Sequence, residues 1–220
     1  ITLNYNGKEN TTKLLESLKS LKTEGLQTKI IVVDNASNDG SVSEVRKNFK
    51  EVDILQTGGN LGFGEGYNKG LEYATIWGAD YFLLINNDSK IGDPHLLQKL
   101  IKVVNKDATV GVVAPKILFE KGFEFYKDRY SPSQLGKVIW YGGGHFDWDN
   151  IASVHRGIDQ VDEGQYDLID EVSFFSGACF LIKKEVLEKV EGFDGSYFLY
   201  FEDAHLAKKI REAGFRTYYT

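Results

Sequence analysis

Residues 81–88 read YFLLINND, a run of five apolar or aromatic residues that ends at two amides and a carboxylate. A strand that is buried on both faces of a sheet has this continuous apolar pattern. In open α/β sheets, ligands bind beyond the carboxyl ends of the strands. The stretch therefore predicts a central strand over Tyr81–Ile85 and places Asn86, Asn87 and Asp88 at a candidate ligand site.

The sequence on both sides of this strand alternates short apolar runs with amphipathic stretches. The apolar runs of the first 115 residues are ITL (1–3), KIIVVD (29–34), VDILQT (52–57), YFLLI (81–85) and VGVVAP (110–115). Between them, apolar residues recur at helical spacing, as in residues 96–104. Strands that alternate with helices form βαβ units. We therefore expect an α/β fold, a Rossmann-like three-layer α/β/α sandwich with a mostly parallel mixed sheet.

Beyond residue 115 the pattern is less regular. Residues 119–170 are rich in Tyr, Trp, Gly and charge, and they predict an irregular excursion. Order returns with EVSFFSGACFLI (171–182) as a strand and EDAHLAKKIREAG (202–214) as a helix. A chain of 220 residues that is 42% hydrophobic can bury one substantial core. We expect a single domain over residues 1–220, truncated at both ends because the chain begins without Met and stops in the strand-like TYYT.

Composition excludes several classes of protein. The net charge is −6 and no block of Lys and Arg is longer than two residues, so the basic footprint of a nucleic-acid binder is missing. No segment approaches the roughly 18 consecutive apolar residues of a membrane span. The single cysteine, Cys179, excludes an intrachain disulfide.

Two further motifs follow predicted strands. Asp34 ends an apolar strand in VDNASNDGS, where a carboxylate can accept a hydrogen bond from a base or a ribose hydroxyl; the rest of the motif also reads as turn and capping chemistry. Residues 58–70, GGNLGFGEGYNKG, are dense in glycine and let the backbone approach a ligand closely. The same pattern also fits a dinucleotide-binding turn of an NAD-type oxidoreductase, or a tight turn with close helix–sheet packing.

Carboxylates in two places could carry chemistry. Asp88 offers a hard anionic oxygen that suits Mg²⁺ or Mn²⁺, although Asn-Asn-Asp is also an ordinary turn at a strand end. Glu202 and Asp203 precede a helix in YFLYFEDAHLAKKI. Acids at this position can cap the helix, or one of them can act as a general base that takes a proton from an acceptor hydroxyl.

Six stretches together resemble a known family: LNYNG, VVDNASNDGS, GNLGFGEGYNKG, LLINND, SGACFLIKKEVLEKVEGFDG and YFLYFEDAHLAKKIREAGF. Their order and approximate spacing are similar to those of glycosyltransferase family 2, and within it to the rhamnosyltransferase-like group. The resemblance runs nearly from end to end. It implies the GT-A fold, with a nucleotide-sugar-binding half over residues 1–115 and an acceptor-binding half over residues 116–220.

The resemblance also implies roles for individual residues. Asp203 would be the catalytic base with Glu202 beside it positioning the acceptor, Gly177 and Ala178 would line the acceptor side, and Asp88 would bind the metal. The residues that would hold the nucleotide donor are Asn4, Tyr5, Asn6, Asp34, Asn60, Gly62, Asn68, Asn86 and Asn87. Asn86 stands where the family's Asp-x-Asp motif has its first acid, so dependence on Mg²⁺ or Mn²⁺ is left open.

The activity implied is transfer of a sugar, with inversion, from dTDP-rhamnose or a UDP-sugar to an acceptor hydroxyl in polysaccharide or glycan biosynthesis. The acceptor would be a glycan or a lipid-linked saccharide, and the enzyme would be cytoplasmic or peripheral at the cytoplasmic membrane face. Two alternatives stay open at this point: an NAD-type oxidoreductase and a non-catalytic nucleotide-sugar-binding module. The oligomeric state is not predicted.

Overall fold

A computed structural model describes residues 1–150 and 152–220 of the chain. In the first half, strands alternate with helices as the sequence predicts. The elements are β1 (Thr2–Asn4), α1 (Lys8–Leu18), β2 (Ile31–Asp34), α2 (Ser41–Asn48), β3 (Asp53–Gln56), α3 (Phe63–Trp77), β4 (Tyr81–Ile85), α4 (Leu96–Val104) and β5 (Val110–Ala114).

The second half has more strands than expected. Its elements are β6 (Ile117–Leu118), a 3₁₀ turn (Lys127–Arg129), β7 (Ile139–Tyr141), β8 (Gly144–Asp147), β9 (Ala152–His155), β10 (Asp170–Val172), β11 (Cys179–Lys183), α5 (Lys184–Val190), α6 (Glu202–Glu212) and β12 (Arg216–Tyr219). The excursion at 119–170 therefore contains short paired strands, which corrects the prediction that it is irregular. The predicted strand at 171–182 is also two strands, because buried Phe174 and Phe175 leave the sheet between them.

The strands meet at one common edge. The first three strands are parallel in the order β1-β2-β3, and five others form the mixed order β10-β12-β5-β11-β4. Two small antiparallel pairs, β6-β7 and β8-β9, stand apart from these sheets. Ile1 links the two groups, because its amino group donates to Leu83 O at 2.8 Å and its carbonyl accepts from Ile85 N at 3.1 Å. The edge where β1, β2, β3, β4 and β5 end, and where antiparallel β11 begins, is called the carboxyl edge below.

Helices cover both faces of the sheet, which confirms the three-layer prediction. On one face, α3, α5 and α6 pack against side chains such as Val33 and Leu84. On the other face, α1 and α2 cover Val32, while α4 packs against Leu83. Neighbouring residues of β4 thus enter different apolar layers, which explains why Tyr81–Ile85 is a continuous apolar run. In the part of the chain that the structure describes, no helix combines the length and apolar character that crossing a bilayer requires.

Candidate active site

Asn4, at the end of β1, organises the carboxyl edge from inside. Its side chain is fully buried. The amide nitrogen donates to Asp34 Oδ1 at 2.8 Å and to Ser37 Oγ at 2.9 Å. The amide oxygen accepts from Thr11 Oγ1 at 2.8 Å and from Asn87 Nδ2 at 3.3 Å. One buried side chain therefore joins the loops that follow β1, β2 and β4.

Asp34 is equally buried, and its second oxygen accepts from the backbone N–H of Ser37 at 3.1 Å. In this structure the polar atoms of Asn4 and Asp34 bond inside the protein and hold the shape of the loops. Their predicted contact with a nucleotide stays a prediction. The exposed residues here are Tyr5 and Asn6, which can still meet a ligand.

The glycine-rich turn between β3 and α3 is held by Asn35, which the sequence analysis did not single out. Asn35 Nδ2 donates to Gly62 O at 2.8 Å and to Asn60 Oδ1 at 3.4 Å. Asn60 Oδ1 also accepts from Gly62 N at 3.1 Å, while the Asn60 residue itself is exposed. The position of Asn35, directly after Asp34 at the strand end, is the sequence feature that could have identified it.

Asn86, Asn87 and Asp88 lie where the sequence places them, in the turn after β4. Buried Tyr67 of α3 fixes this turn: its hydroxyl donates to Ile85 O at 3.1 Å and lies 3.4 Å from Asn86 Oδ1. Burial raises the pKa of the Tyr67 phenol, so it stays neutral. Asn87 Nδ2 donates to Thr11 Oγ1 at 3.0 Å, and Asp88 is exposed. The turn therefore presents the Asp88 carboxylate outward.

Asp203 stands at the start of α6, and two backbone donors hold its carboxylate. Oδ2 accepts from Gly177 N at 2.9 Å, and Oδ1 accepts from Ala204 N at 2.7 Å. Ala178 O accepts from Asn86 N at 2.9 Å, so the same segment connects Asp203 to the turn after β4. Burial raises the pKa of Asp203, although both N–H donors act against the increase. A carboxylate with a raised pKa is a better proton acceptor near neutral pH.

Glu202 is buried beside Asp203, with 5% of its surface exposed. Its Oε2 has no hydrogen-bond partner among the described residues. Burial raises the pKa of Glu202, and the neighbouring charge of Asp203 raises it further. A buried carboxyl with an unused oxygen can bond a group that enters the site, but this small exposure limits direct contact with an acceptor. The positioning role of Glu202 therefore stays a prediction.

His155 is a second residue that the sequence analysis missed. Its ring lies 4.5 Å from Trp140 and 5.9 Å from Phe174, centroid to centroid, and its Nδ1 lies 3.1 Å from Trp140 O. Burial lowers the pKa of His155, while the charge of Asp203 opposes this shift. The excursion at 119–170 thus contributes a partly buried imidazole that packs against Trp140 and Phe174.

Asn68 does not face the site. Its Nδ2 donates to Phe193 O at 2.9 Å, and its Oδ1 accepts from Phe193 N at 2.9 Å. Both polar groups of the amide are therefore used to attach the loop after α5 to α3. This geometry corrects the expectation that Asn68 helps to place the nucleotide.

Comparison with known proteins decides between the alternatives. The family model described as Glycosyl transferase family 2 matches residues 1–191 of the 220. The chain belongs to glycosyl transferase family 2. It is therefore a glycosyltransferase, as the motifs predict, and this membership decides against an NAD-type oxidoreductase.

Curated relatives agree with the rhamnosyltransferase-like resemblance. N-acetylglucosaminyl-diphospho-decaprenol L-rhamnosyltransferase of Mycobacterium tuberculosis is 25% identical, and the match covers 100% of this chain and 72% of the relative. Rhamnosyltransferase WbbL of Escherichia coli is 26% identical over 94% of this chain and 74% of its own length.

Solved structures confirm the GT-A fold. A mannosyltransferase from Pyrobaculum calidifontis in complex with GDP-Man and Mn²⁺ has a TM-score of 0.64 and 20% identity, over 98% of this chain and 52% of that one. GalNAc-T7 with UDP, GalNAc and Mn²⁺ has a TM-score of 0.71 and 14% identity, over 100% of this chain and 41% of that one. The chain thus spans about half the length of these two structures.

The side chains at the carboxyl edge of this family 2 chain meet the needs of a divalent cation only in part. Among the described residues, no group of three or more His, Cys, Asp or Glu could hold a metal ion. Asp88 supplies one exposed carboxylate, and Asn86 supplies an amide oxygen that lies near Tyr67. Mg²⁺ typically binds one or two carboxylates and completes its shell with substrate phosphates and water. The residues therefore suit a cation that arrives with a diphosphate rather than a site built by the protein alone.

The glycosyltransferase site has a strained wall formed by residues 198–201, FLYF, called the FLYF segment below. Tyr200 and Phe201 have φ angles of 71° and 67°, the left-handed region that these side chains rarely adopt. The segment is attached to the glycine-rich turn, because Phe63 N donates to Phe198 O at 2.8 Å. Gly62 has φ +82°, and a Cβ there would lie 2.4 Å from Phe198 O. The turn and the start of α6 are thus coupled through this contact.

Replacing Gly62 by alanine should displace the FLYF segment and destabilise the fold. Overpacking costs about 1–3 kcal/mol, and each kcal/mol lowers the melting temperature by about 2–4 °C in a protein of this size. Gly58→Ala is the matched control, because Gly58 has φ +79° and nothing within 4 Å of an added Cβ. Thermal unfolding of both variants isolates the contact from the backbone strain. Equal melting temperatures would show that the Phe198 contact is not constraining.

Proposed function

We propose that this glycosyltransferase moves a sugar from a nucleoside diphosphate to a hydroxyl of an acceptor saccharide, with Asp203 as the general base. The observation that carries the proposal is the fixed Asp203 carboxylate, bonded to Gly177 N and Ala204 N beside the turn after β4. A proton acceptor has to be held within hydrogen-bond reach of the reacting hydroxyl. The two backbone N–H donors supply that positioning.

The proposed reaction is a single displacement with inversion. The acceptor oxygen forms a bond to the anomeric carbon, the bond from that carbon to the diphosphate breaks, and the acceptor proton passes to Asp203. Gly177 and Ala178 would line the acceptor side, and residues 116–220 would hold the acceptor. Residues 1–115 would hold the donor, through the exposed groups of Tyr5, Asn6 and Asn60 and the turn after β4.

Asp88 would hold a divalent cation, Mg²⁺ or Mn²⁺, on the donor diphosphate. When bound, such a cation neutralises charge that develops on the departing diphosphate. Two structural neighbours are complexes that contain Mn²⁺, which supports this assignment. The exposed position of Asp88 at the tip of the turn leaves its oxygens open to a metal that comes with the substrate.

The names of the curated relatives suggest the substrates. A rhamnosyltransferase that acts on a diphospho-decaprenol sugar supports dTDP-rhamnose as donor and a lipid-linked saccharide as acceptor, with a UDP-sugar as the second donor candidate. A lipid-linked acceptor would bring a cytoplasmic enzyme to the membrane surface as a peripheral protein. These finer assignments rest on relatives of about one quarter identity.

A thermal-shift panel tests the donor assignment. The chain is heated with UDP, dTDP, GDP or NAD, each with and without Mn²⁺. A ligand at 100 times its dissociation constant adds about 2.7 kcal/mol to the free energy of unfolding. We expect stabilisation by one nucleoside diphosphate, larger with Mn²⁺, and none by NAD. Stabilisation by NAD alone would overturn the proposal.

A further inference from the structure

Residues 119–130, FEKGFEFYKDRY, are called the Glu124 loop below. In this loop a glutamate side chain is buried, whereas three aromatic side chains are exposed. Glu124 is 2% exposed, whereas Phe123 is 75%, Phe125 is 61% and Tyr126 is 51% exposed. Glutamate is almost never fully buried in proteins unless it is paired, and aromatic side chains are usually covered. Three neighbouring exposed aromatic side chains therefore indicate an interaction site.

Hydrogen bonds of Glu124 show that this arrangement is built into the fold. Its Oε1 accepts from Gly136 N at 2.6 Å, and its Oε2 accepts from Gly122 N at 2.8 Å. Burial works against the charge, but these N–H donors lower the pKa of Glu124 below its usual value. The carboxylate thus closes the loop from inside and leaves Phe123 and Phe125 on the outside.

The Glu124 loop stands beside the candidate active site. It follows β5 and β6, and β5 ends at the carboxyl edge. Lys90 Nζ lies 3.9 Å from Glu120 Oε1, which connects the loop to the turn that carries Asp88. The exposed FLYF segment also lies at this edge, directly before Glu202 and Asp203. The exposed aromatic side chains of both segments therefore lie at the carboxyl edge, where the proposed substrates would bind.

The Glu124 loop has no net formal charge, because its three basic side chains are balanced by Glu120, Asp128 and the buried Glu124. Lys121, Lys127 and Arg129 are exposed, against the exposed acids Glu120 and Asp128. Glu120 is paired with Lys90, while the chain as a whole has a net charge of −6. Segments that combine exposed aromatic side chains with Lys and Arg are typical of proteins that lie in the interface of an anionic membrane.

We propose that the Glu124 loop docks this enzyme onto an anionic lipid bilayer, with Phe123, Phe125 and Tyr126 in the interface and the cationic side chains on the headgroups. Docking at this place rests on the proposed function. A lipid-linked acceptor lies at a membrane, so the carboxyl edge, which carries the candidate active site, has to face the membrane. Docking through this loop satisfies that requirement, because the loop contacts the Asp88 turn.

Vesicle flotation tests the proposal without any need for catalysis. The purified chain is mixed with one of two kinds of vesicle. One contains phosphatidylcholine alone, and the other contains phosphatidylcholine with about one third phosphatidylglycerol, an anionic lipid. We expect flotation with the anionic vesicles. Phe123→Ser/Phe125→Ser should lower the partition coefficient about tenfold or more. The matched control is Ile76→Ser/Trp77→Ser, which removes two exposed apolar side chains at the end of α3, at the opposite edge.

Charge is tested in the same assay. Lys121→Gln/Lys127→Gln should weaken binding by about fivefold per lysine. Lys47→Gln/Lys50→Gln is the control with two exposed lysines at the end of α2, away from the carboxyl edge. The nucleotide thermal shift of each variant shows that it is folded. It also separates the two proposals, because a chain that binds a nucleoside diphosphate but does not float keeps the transferase function and loses the docking inference.

A site-specific probe gives an independent readout. Cys179 is buried, so Phe123→Cys creates one accessible thiol for a polarity-sensitive fluorophore. Its emission should shift to the blue on anionic vesicles, whereas a label at Ile76→Cys should not shift. Equal flotation of the loop variant and wild type, absence of wild-type flotation, or an unshifted Phe123 label would each overturn the proposal. After either of the last two results, a protein partner would be the next occupant to test for the loop.

Discussion

Replacing Asp203 by asparagine is expected to lower sugar transfer by about 10²–10⁴-fold, the contribution typical of a general base. The amide has nearly the same shape as the carboxylate but cannot take the acceptor proton. Donor affinity should change little, because Asp203 bonds Gly177 N and Ala204 N and not the loops after β1, β2 and β3. Turnover is measured as release of the nucleoside diphosphate, and donor affinity by the thermal shift.

Asp194→Asn is the matched control for this substitution. Asp194 lies in the loop before α6 and accepts from Ser196 N at 2.9 Å, so it is also a carboxylate bonded to the backbone near the site. It is expected to keep wild-type turnover. If Asp203→Asn turned over at the wild-type rate, another group would have to be the base.

The pH dependence of turnover follows from the raised pKa of Asp203. Only the deprotonated carboxylate can accept a proton, so turnover should fall as the pH decreases through the pKa of Asp203. Because burial raises this pKa, the decrease should begin at a higher pH than for an ordinary aspartate. The asparagine variant should lose this acid limb from its residual activity.

Local sequence patterns were sufficient for the strands of the first 115 residues and for the turn that carries Asp88. The apolar run of β4 reports burial on both faces, and the polar residues after it mark the strand end. Both facts are contained in eight consecutive residues. Asp203 was also identifiable, because a pair of acids before an amphipathic helix is a local feature.

Contacts between distant parts of the chain could not be predicted in this way. Asn68 looked like part of a ligand turn, but it bonds Phe193, 125 residues away. Asn4 was predicted among the residues that hold the nucleotide donor, but its side chain is buried among three loops. The inward position of Glu124 depends on Gly136 N, which only the folded loop brings to it. In each case the partner of a polar side chain, and not its residue type, decides its role.

Replacing Asp88 by alanine is expected to reduce transfer by about 10²–10³-fold, the usual cost of removing one electrostatic stabiliser of a transition state. Asp88 is the only acid in the turn after β4, since Asn86 and Asn87 carry no charge. Removal of its carboxylate leaves the turn with amide oxygens alone, which neither replace the charge nor compete well for a hard cation. Its effect should therefore appear in metal dependence as well as in turnover.

Asp80→Ala is the matched control for Asp88→Ala. Asp80 is an exposed aspartate directly before β4, at the end of the strand opposite to Asp88. The wild-type chain and Asp80→Ala should both show a larger nucleotide thermal shift with Mn²⁺ than without it, whereas Asp88→Ala should lose this increment and keep the shift by the nucleotide alone. If the increment survived in Asp88→Ala, the metal would be held by other groups. The wild-type chain could also transfer sugar without any larger thermal shift in Mn²⁺. In that case the reaction would be independent of metal, consistent with an amide at position 86, and Asp88 would act by direct contact with the donor.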